Sequence, residues 1–238
     1  MSELQGVWTV IVLTLIAGLA MPAGALLAQI ERIQPQWLEE ELRHTVTAFG
    51  GGALFSAVAL VLVTDGVEHL SVIHAVSMLV VGGLAFMGLD IWLYKVNTPA
   101  TQLAAMLSDF IPESLALGAA LAFGKDTAFL LAALITLQNL PEGFNAYREL
   151  CRRLPAGRII FLFALMAALG PVAGVTGYVW LVEEHQLLAS IMLFAAGGIL
   201  YSVFQDIAPQ VKLEKHWWPP MGAVLGFGLG LVGYMLTA

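Results

Sequence analysis

Charge is what this chain has least of. Lysine and arginine number 10 and aspartate and glutamate 17 in 238 residues, so 11% of the chain is charged, where a soluble domain carries roughly 25%. That scarcity excludes a soluble enzyme, a disordered chain and a nucleic-acid binder with a basic face. Cysteine is nearly absent as well. Cys151 stands alone and cannot close an intramolecular disulfide, so no oxidising compartment is implied. The first five residues hold no Lys or Arg, and the apolar run behind them, from about Gly6 to Ala28, is too long for the core of a secretory signal. It is expected to be a first membrane helix. No sequence resembles a phosphate-cradling glycine loop, so ATP is not the expected energy source.

What the chain does have is apolar length: 59% of its residues are hydrophobic and its mean hydropathy is +0.85. At about 20 residues per spanning helix there is room for roughly eight spans, and none for a second, soluble domain. Apolar windows place them at 6–28, 46–66, 71–94, 102–123, 127–147, 158–182, 187–207 and 219–237. The expected fold is all-α: one transmembrane domain, residues 1–238, of eight helices. Charge placement tests the count. Nine of the ten basic residues, among them Arg32, Arg43, Lys95, Arg148, Arg152, Arg153, Arg158, Lys212 and Lys215, fall on one side of such a bundle, and only Lys125 on the other. The positive-inside rule makes the nine-charge side cytoplasmic and turns both termini outward. Trp37, Trp217 and Trp218 flank spans on that side, as an interfacial belt would. Glycines 50–52, 82–83 and 222–230 read as close helix contacts, with a sliding surface as the alternative.

Ionisable groups at membrane depth are costly and therefore functional candidates. Asp90, Asp126, Glu183 and Glu184 lie near span ends and read as solvated or interfacial, whereas Asp109, Glu113 and Glu142 sit well inside spans. They belong to two matched segments. Span four reads Ser108-Asp109-Phe110-Ile111-Pro112-Glu113-Ser114, and span five reads Leu137-Gln138-Asn139-Leu140-Pro141-Glu142-Gly143. In each, an oxygen-bearing side chain precedes a Glu by four residues, which puts both on one helical face. The proline between them removes a backbone hydrogen bond and kinks the helix. Paired, interrupted helices in corresponding positions point to a transporter's substrate site. Spans four and five are antiparallel neighbours, so Asp109, Glu113, Gln138 and Glu142 can converge. Three such carboxylates cannot all stay ionised in a dry setting without a cation or bound protons, which suggests a divalent cation. The alternative is protonated groups bonded to one another for packing alone.

These paired Pro-Glu segments resemble the metal-binding motifs of the ZIP (Zrt/Irt-like) transporters, in their prokaryotic branch. The resemblance extends over the whole chain and includes Gly170-Pro171-Val172-Ala173-Gly174 in span six and Phe194-Ala195-Ala196-Gly197-Gly198-Ile199-Leu200-Tyr201 in span seven. It implies a ZIP-like bundle in the plasma (inner) membrane that carries a divalent cation of the zinc, manganese, iron or cadmium class into the cytoplasm by alternating access. Spans one, four, five and six would move against the rest. The metal is the substrate; no cofactor and no enzymatic chemistry are implied. Partners would be the metal and the lipid bilayer, with no nucleic acid, and a homodimer is compatible. The ligands fall on Asp109 (where the family has His), Glu113, Gln138 and Glu142. Of a second metal position only Asn139 remains, because Phe110 and Gly170 stand where the family has ligands, so a mononuclear site is expected. Asp206, beside Gln205, matches an acidic exit residue, and Asp65 and Glu68 are candidates for an entrance. The family's His-rich loop between spans three and four is replaced by Lys95-Val96-Asn97-Thr98-Pro99. With no His or Cys in the predicted site, oxygen donors alone favour a harder ion such as Mn²⁺ over zinc.

Two other readings use the same residues: a non-transporting homologue that senses metal or assembles with a partner, and a proton-coupled carrier of an organic cation. His44, His69, His74, His185 and His216 read as solvated or interfacial side chains.

Overall fold

The computed structural model describes residues 3–30, 36–96, 98–122, 127–180, 184–211 and 217–237. Arg32, Lys125, Lys212, Lys215, His216, Asp126 and Glu183 lie outside the described residues, as does the side chain of Trp37. The described chain is helical throughout, with no strand. Eight helical rods follow one another: α1 (Glu3–Ile30), α2 (Gln36–Ala57, continued by a π-helical turn Val58–Leu62 and by Val63–Val67), α3 (Val72–Val96) and α4 (Pro99–Ala122). Then come α5 (Thr127–Leu150), α6 (Ala156–Ala167 and Leu169–Trp180), α7 (His185–Ser202, with a π-helical turn Val203–Ile207 and Ala208–Val211) and α8 (Trp218–Thr237). Pro171 lacks the N–H that would bond the Ala167 carbonyl, and α6 is interrupted beside that carbonyl, at Ala168.

Seven of these rods are long and apolar enough to cross a membrane. The exception is α5, whose second half carries Gln138, Asn139, Glu142, Asn145, Arg148 and Glu149. Eight expected spans therefore become seven apolar rods and one polar one. The reason lies in the packing: α5 is the hub of the bundle, in contact with α1, α2, α4 and α8, so protein rather than lipid covers much of it. At the periphery, only 17% of the apolar window of α3 is buried. Its Val72, Ile73, Val76 and Val80 are exposed, as suits a helix whose solvent is hydrocarbon. These features make the chain a helical, membrane-embedded protein.

The rods sort into two units. Helices α1, α4, α5 and α6 contact one another extensively, and α2, α3, α7 and α8 form a second set through the α2–α8 and α3–α7 pairs. Glycine positions sharpen the division. A methyl group added at Gly52 would strike the main chain of Ala223, at Gly82 that of Phe194, at Gly118 that of Gly174, and at Gly143 that of Met21. Each of these pairs lies inside one unit. Across the seam the glycines meet side chains instead: Gly50 faces the Pro141 ring at 2.9 Å, and Gly233 faces Leu130. Within the units backbone thus meets backbone, whereas across the seam the nearest atoms to Gly50 and Gly233 belong to side chains. The glycines at 52, 82, 222 and 226 are close packing contacts, as expected; Gly50 alone of that group faces the other unit.

Short connections make consecutive rods antiparallel, so the ends bearing Arg43, Lys95, Arg148 and Arg158 lie together. This is called the basic end below. Toward the other end the interior is closed by Val61, Leu62, Leu117, Leu134 and Met192, each no more than 2% exposed.

Candidate functional site

The kinked segments of α4 and α5 do face one another. Gln138 Nε2 donates to both carboxylate oxygens of Glu113, at 2.7 Å each. Both side chains are buried. Gln138 Oε1 and Asp109 Oδ1 are buried with no hydrogen-bond partner, as is the hydroxyl of Ser114. Pro112 and Pro141 sit inside their helices, and each frees the carbonyl four residues earlier, at Ser108 and Leu137. Glu142 lies within electrostatic reach of Asp109, Glu113 and Asp206. The four residues expected to converge therefore share one neighbourhood.

Asn139 takes a different direction. Its Nδ2 donates to the Ala17 carbonyl of α1 at 2.9 Å, which ties α5 to α1 inside one unit. Phe110 is 1% exposed, and its ring tip fills the space between α1 and α6. A Cβ on Gly170 would stand 2.6 Å from Phe110 Cζ, and one on Gly18 would stand 2.9 Å from it. The two departures noted in the sequence are thus one feature, a ring seated in a hollow that glycine leaves.

From this cluster a cavity of about 440 Å³ opens toward the basic end. Asp109, Gln138 and Glu142 line its inner part, and Asp90, Glu149 and Asp206 also line it. Among the described residues, none that lines it is Lys, Arg or His. Asp206 lies in the π-helical turn of α7, a local widening of the helix of the kind found at functional sites. Beside it, Tyr201 donates its hydroxyl proton to Asp90 at 3.0 Å. Five carboxyl groups with no lining cation make the cavity strongly attractive to positive ions.

As the side chains stand, no three His, Cys, Asp or Glu groups among the described residues are close enough to hold one ion. In the same neighbourhood the NH₂ group of Gln138 occupies both oxygens of Glu113. Turning that amide about its terminal torsion, which is soft, would present Oε1 instead. The same side chain can therefore hold Glu113 in place or offer an oxygen to a cation.

Two features escaped the reading of the sequence. Asp90 reads as interfacial in the sequence, but more than one turn inside the end of α3 at Val96 it faces α7 and the cavity. Its distance from the helix end was the available signal. At the opposite end, the His69 and His185 rings lie 5.1 Å apart, and His74 is 3.3 Å from the Ser190 hydroxyl. Asp65 and Glu68 are at that end too, outside the cavity, which reaches α2 only as far as Leu54. No known family model matches the chain, and no curated protein matches it either.

Proposed function

We propose that the chain is a ZIP-like secondary carrier that moves divalent metal cations into the cytoplasm through one carboxylate-rich site between α4 and α5. The observation that carries this reading is the cavity itself: five carboxyl groups and, among the described residues, no basic lining residue, leading from the basic end to two matched Pro-Glu segments. All eight rods cross the membrane, α5 sheltered by its neighbours, with the basic end in the cytoplasm of a bacterial-type inner membrane and both termini outward. The cavity then faces inward. Glu113 and Glu142 hold the ion, and Asp109 and the turned amide of Gln138 complete the shell with water. The ion leaves past Asp206, Asp90 and Glu149. Alternating access follows from moving the α1, α4, α5 and α6 unit along the seam where Gly50 and Gly233 meet side chains first. The plug of Phe110 in the Gly170 hollow leaves space for one ion rather than two. Donors that are all oxygen suit Mn²⁺ at least as well as Zn²⁺.

Uptake of divalent ions into proteoliposomes tests this. The native protein is expected to transport at least one such ion, and a Glu113→Ala/Glu142→Ala variant is expected to transport none. Absence of uptake for every divalent ion offered would sink the carrier reading. The second reading, a non-transporting homologue, takes its support from the closed Phe110–Gly170 contact and from the amide held on Glu113. It requires metal-dependent stabilisation without uptake.

A further inference from the structure

A second hollow, about 190 Å³, lies between α1, α2 and α5 near the basic end. Its walls are apolar, with Leu27, Leu42, Val46 and Phe144 among them, and its two charged lining residues are Arg43 and Arg148. Leu27, Leu42 and Val46 are 52%, 44% and 43% exposed, so the hollow opens onto the surface that hydrocarbon covers. The Arg148 guanidinium stands 5.7 Å from the centre of the Phe144 ring, which holds it beside the apolar wall. Thr47, Pro141 and Asn145 line both this hollow and the acidic cavity. Asn145 donates to the Thr47 hydroxyl at 2.8 Å, tying α5 to α2 across that shared wall.

Apolar walls alone would accept any acyl chain. Two arginines lining such a hollow add a preference, because a guanidinium forms paired, charge-assisted hydrogen bonds with a phosphate. Basic pockets between membrane helices take anionic lipid headgroups for this reason. We infer that the hollow binds one anionic phospholipid, an acyl chain between α1, α2 and α5 and the headgroup phosphate on Arg43 and Arg148. Arg43 belongs to one four-helix unit and Arg148 to the other. The lipid therefore bridges the seam and favours the arrangement of units in which both arginines face one hollow. Binding stands apart from the carrier reading; only an effect on transport would rest on it.

The test is lipid retention by the full chain, delipidated in neutral detergent and titrated with phosphatidylglycerol or phosphatidylcholine of matched chains, read by native mass spectrometry. A preference for phosphatidylglycerol of about 30-fold is expected, from about fivefold per guanidinium. Arg43→Gln/Arg148→Gln should reduce it to about twofold or less, and Arg152→Gln/Arg153→Gln, which neutralises two residues that do not line the hollow, should leave it intact. Filling the hollow with Val46→Trp should lower retention of both lipids while leaving both arginines in place, which covers failure of the double arginine variant to fold. Equal retention of the two lipids by the native protein overturns the inference. So does a preference that survives in Arg43→Gln/Arg148→Gln, or one lost equally on neutralising Arg152 and Arg153.

Discussion

The seating of Phe110 against Gly170 can be tested by a double-mutant cycle. A methyl group at residue 170 would stand 2.6 Å from Phe110 Cζ, 3.1 Å from its Cε1 and 2.9 Å from the Thr14 carbonyl oxygen. The ring has nowhere to retreat, because Gly18 and Ala167 close the other side and Phe110 is buried. Overpacking costs about 1–3 kcal/mol, and three atoms this close put the site in the upper part, about 2–3 kcal/mol. Alanine in a helix is about 1 kcal/mol better than glycine, which offsets part of that. Gly170→Ala alone should therefore destabilise by about 1–2 kcal/mol. Phe110→Leu removes the ring tip. In that background only the Thr14 contact opposes the alanine, so Gly170→Ala should be close to neutral. The coupling between the two substitutions is thus about 1–2 kcal/mol, with the double variant more stable than the sum of the singles. Thermal unfolding in detergent, followed by intrinsic tryptophan fluorescence at a fixed scan rate, measures it. If Gly170→Ala is neutral in the native background, or if the two effects simply add, the ring is not seated against residue 170 and the account of a closed second position fails.

Four further outcomes are expected. Gln138→Leu leaves the buried carboxyl group of Glu113 without its two N–H contacts; it should destabilise by about 1–3 kcal/mol in the same melts and abolish metal-dependent stabilisation. Tyr201→Phe removes the hydrogen bond to Asp90 and should cost about 1 kcal/mol, a loss that should largely vanish in an Asp90→Ala background, where no acceptor remains at that position. Gly52→Ala forces a methyl group into the main chain of Ala223 and should lower the melting temperature, whereas Gly88→Ala meets nothing within 4 Å and should be neutral or slightly stabilising. In calorimetric titration of the purified protein, manganese should bind at least as tightly as zinc; clearly tighter zinc would count against a shell made only of oxygen donors.

The helical plan was legible because uninterrupted apolar length is a signal that tertiary context does not override in lipid. The rods end within about four residues of the windows read from the sequence, except that α2 begins at Gln36, ten residues before the window at 46–66. The facing of Glu113 and Gln138 was legible for a related reason: a four-residue spacing fixes a helical face, and a short loop fixes an antiparallel neighbour. What stayed hidden depends on which way a side chain turns when several partners compete. Asn139 sits beside Gln138 in the chain, yet one turns to α4 and the other to a carbonyl of α1. For Asp90 the distance from the end of α3 was a signal of depth, but nothing local says that it faces α7. The polarity of α5 was visible but was read only as a motif, not as the mark of a helix enclosed by others. His69 and His185 come together through the packing of α3 on α7, and no spacing within one helix encodes that.

The weak apolarity of α5 bears on how the protein is made. A helix with so many polar groups partitions poorly into hydrocarbon by itself. On the proposed topology, with α5 as the fifth span, it must be received by helices that are already in the bilayer. Its principal neighbour is α1, the first to be synthesised, and the contact from Asn139 to Ala17 joins residues 122 apart in the chain. Helix α1 must therefore wait, with glycines at 18 and 24 facing lipid, while four further helices emerge. Insertion and folding cannot be separate stages at this point, because entry of α5 into the bilayer and its docking on α1 become a single event. Substitutions that spoil the α1 surface should then show themselves as a failure of the fifth span to enter the membrane, long before any metal is involved.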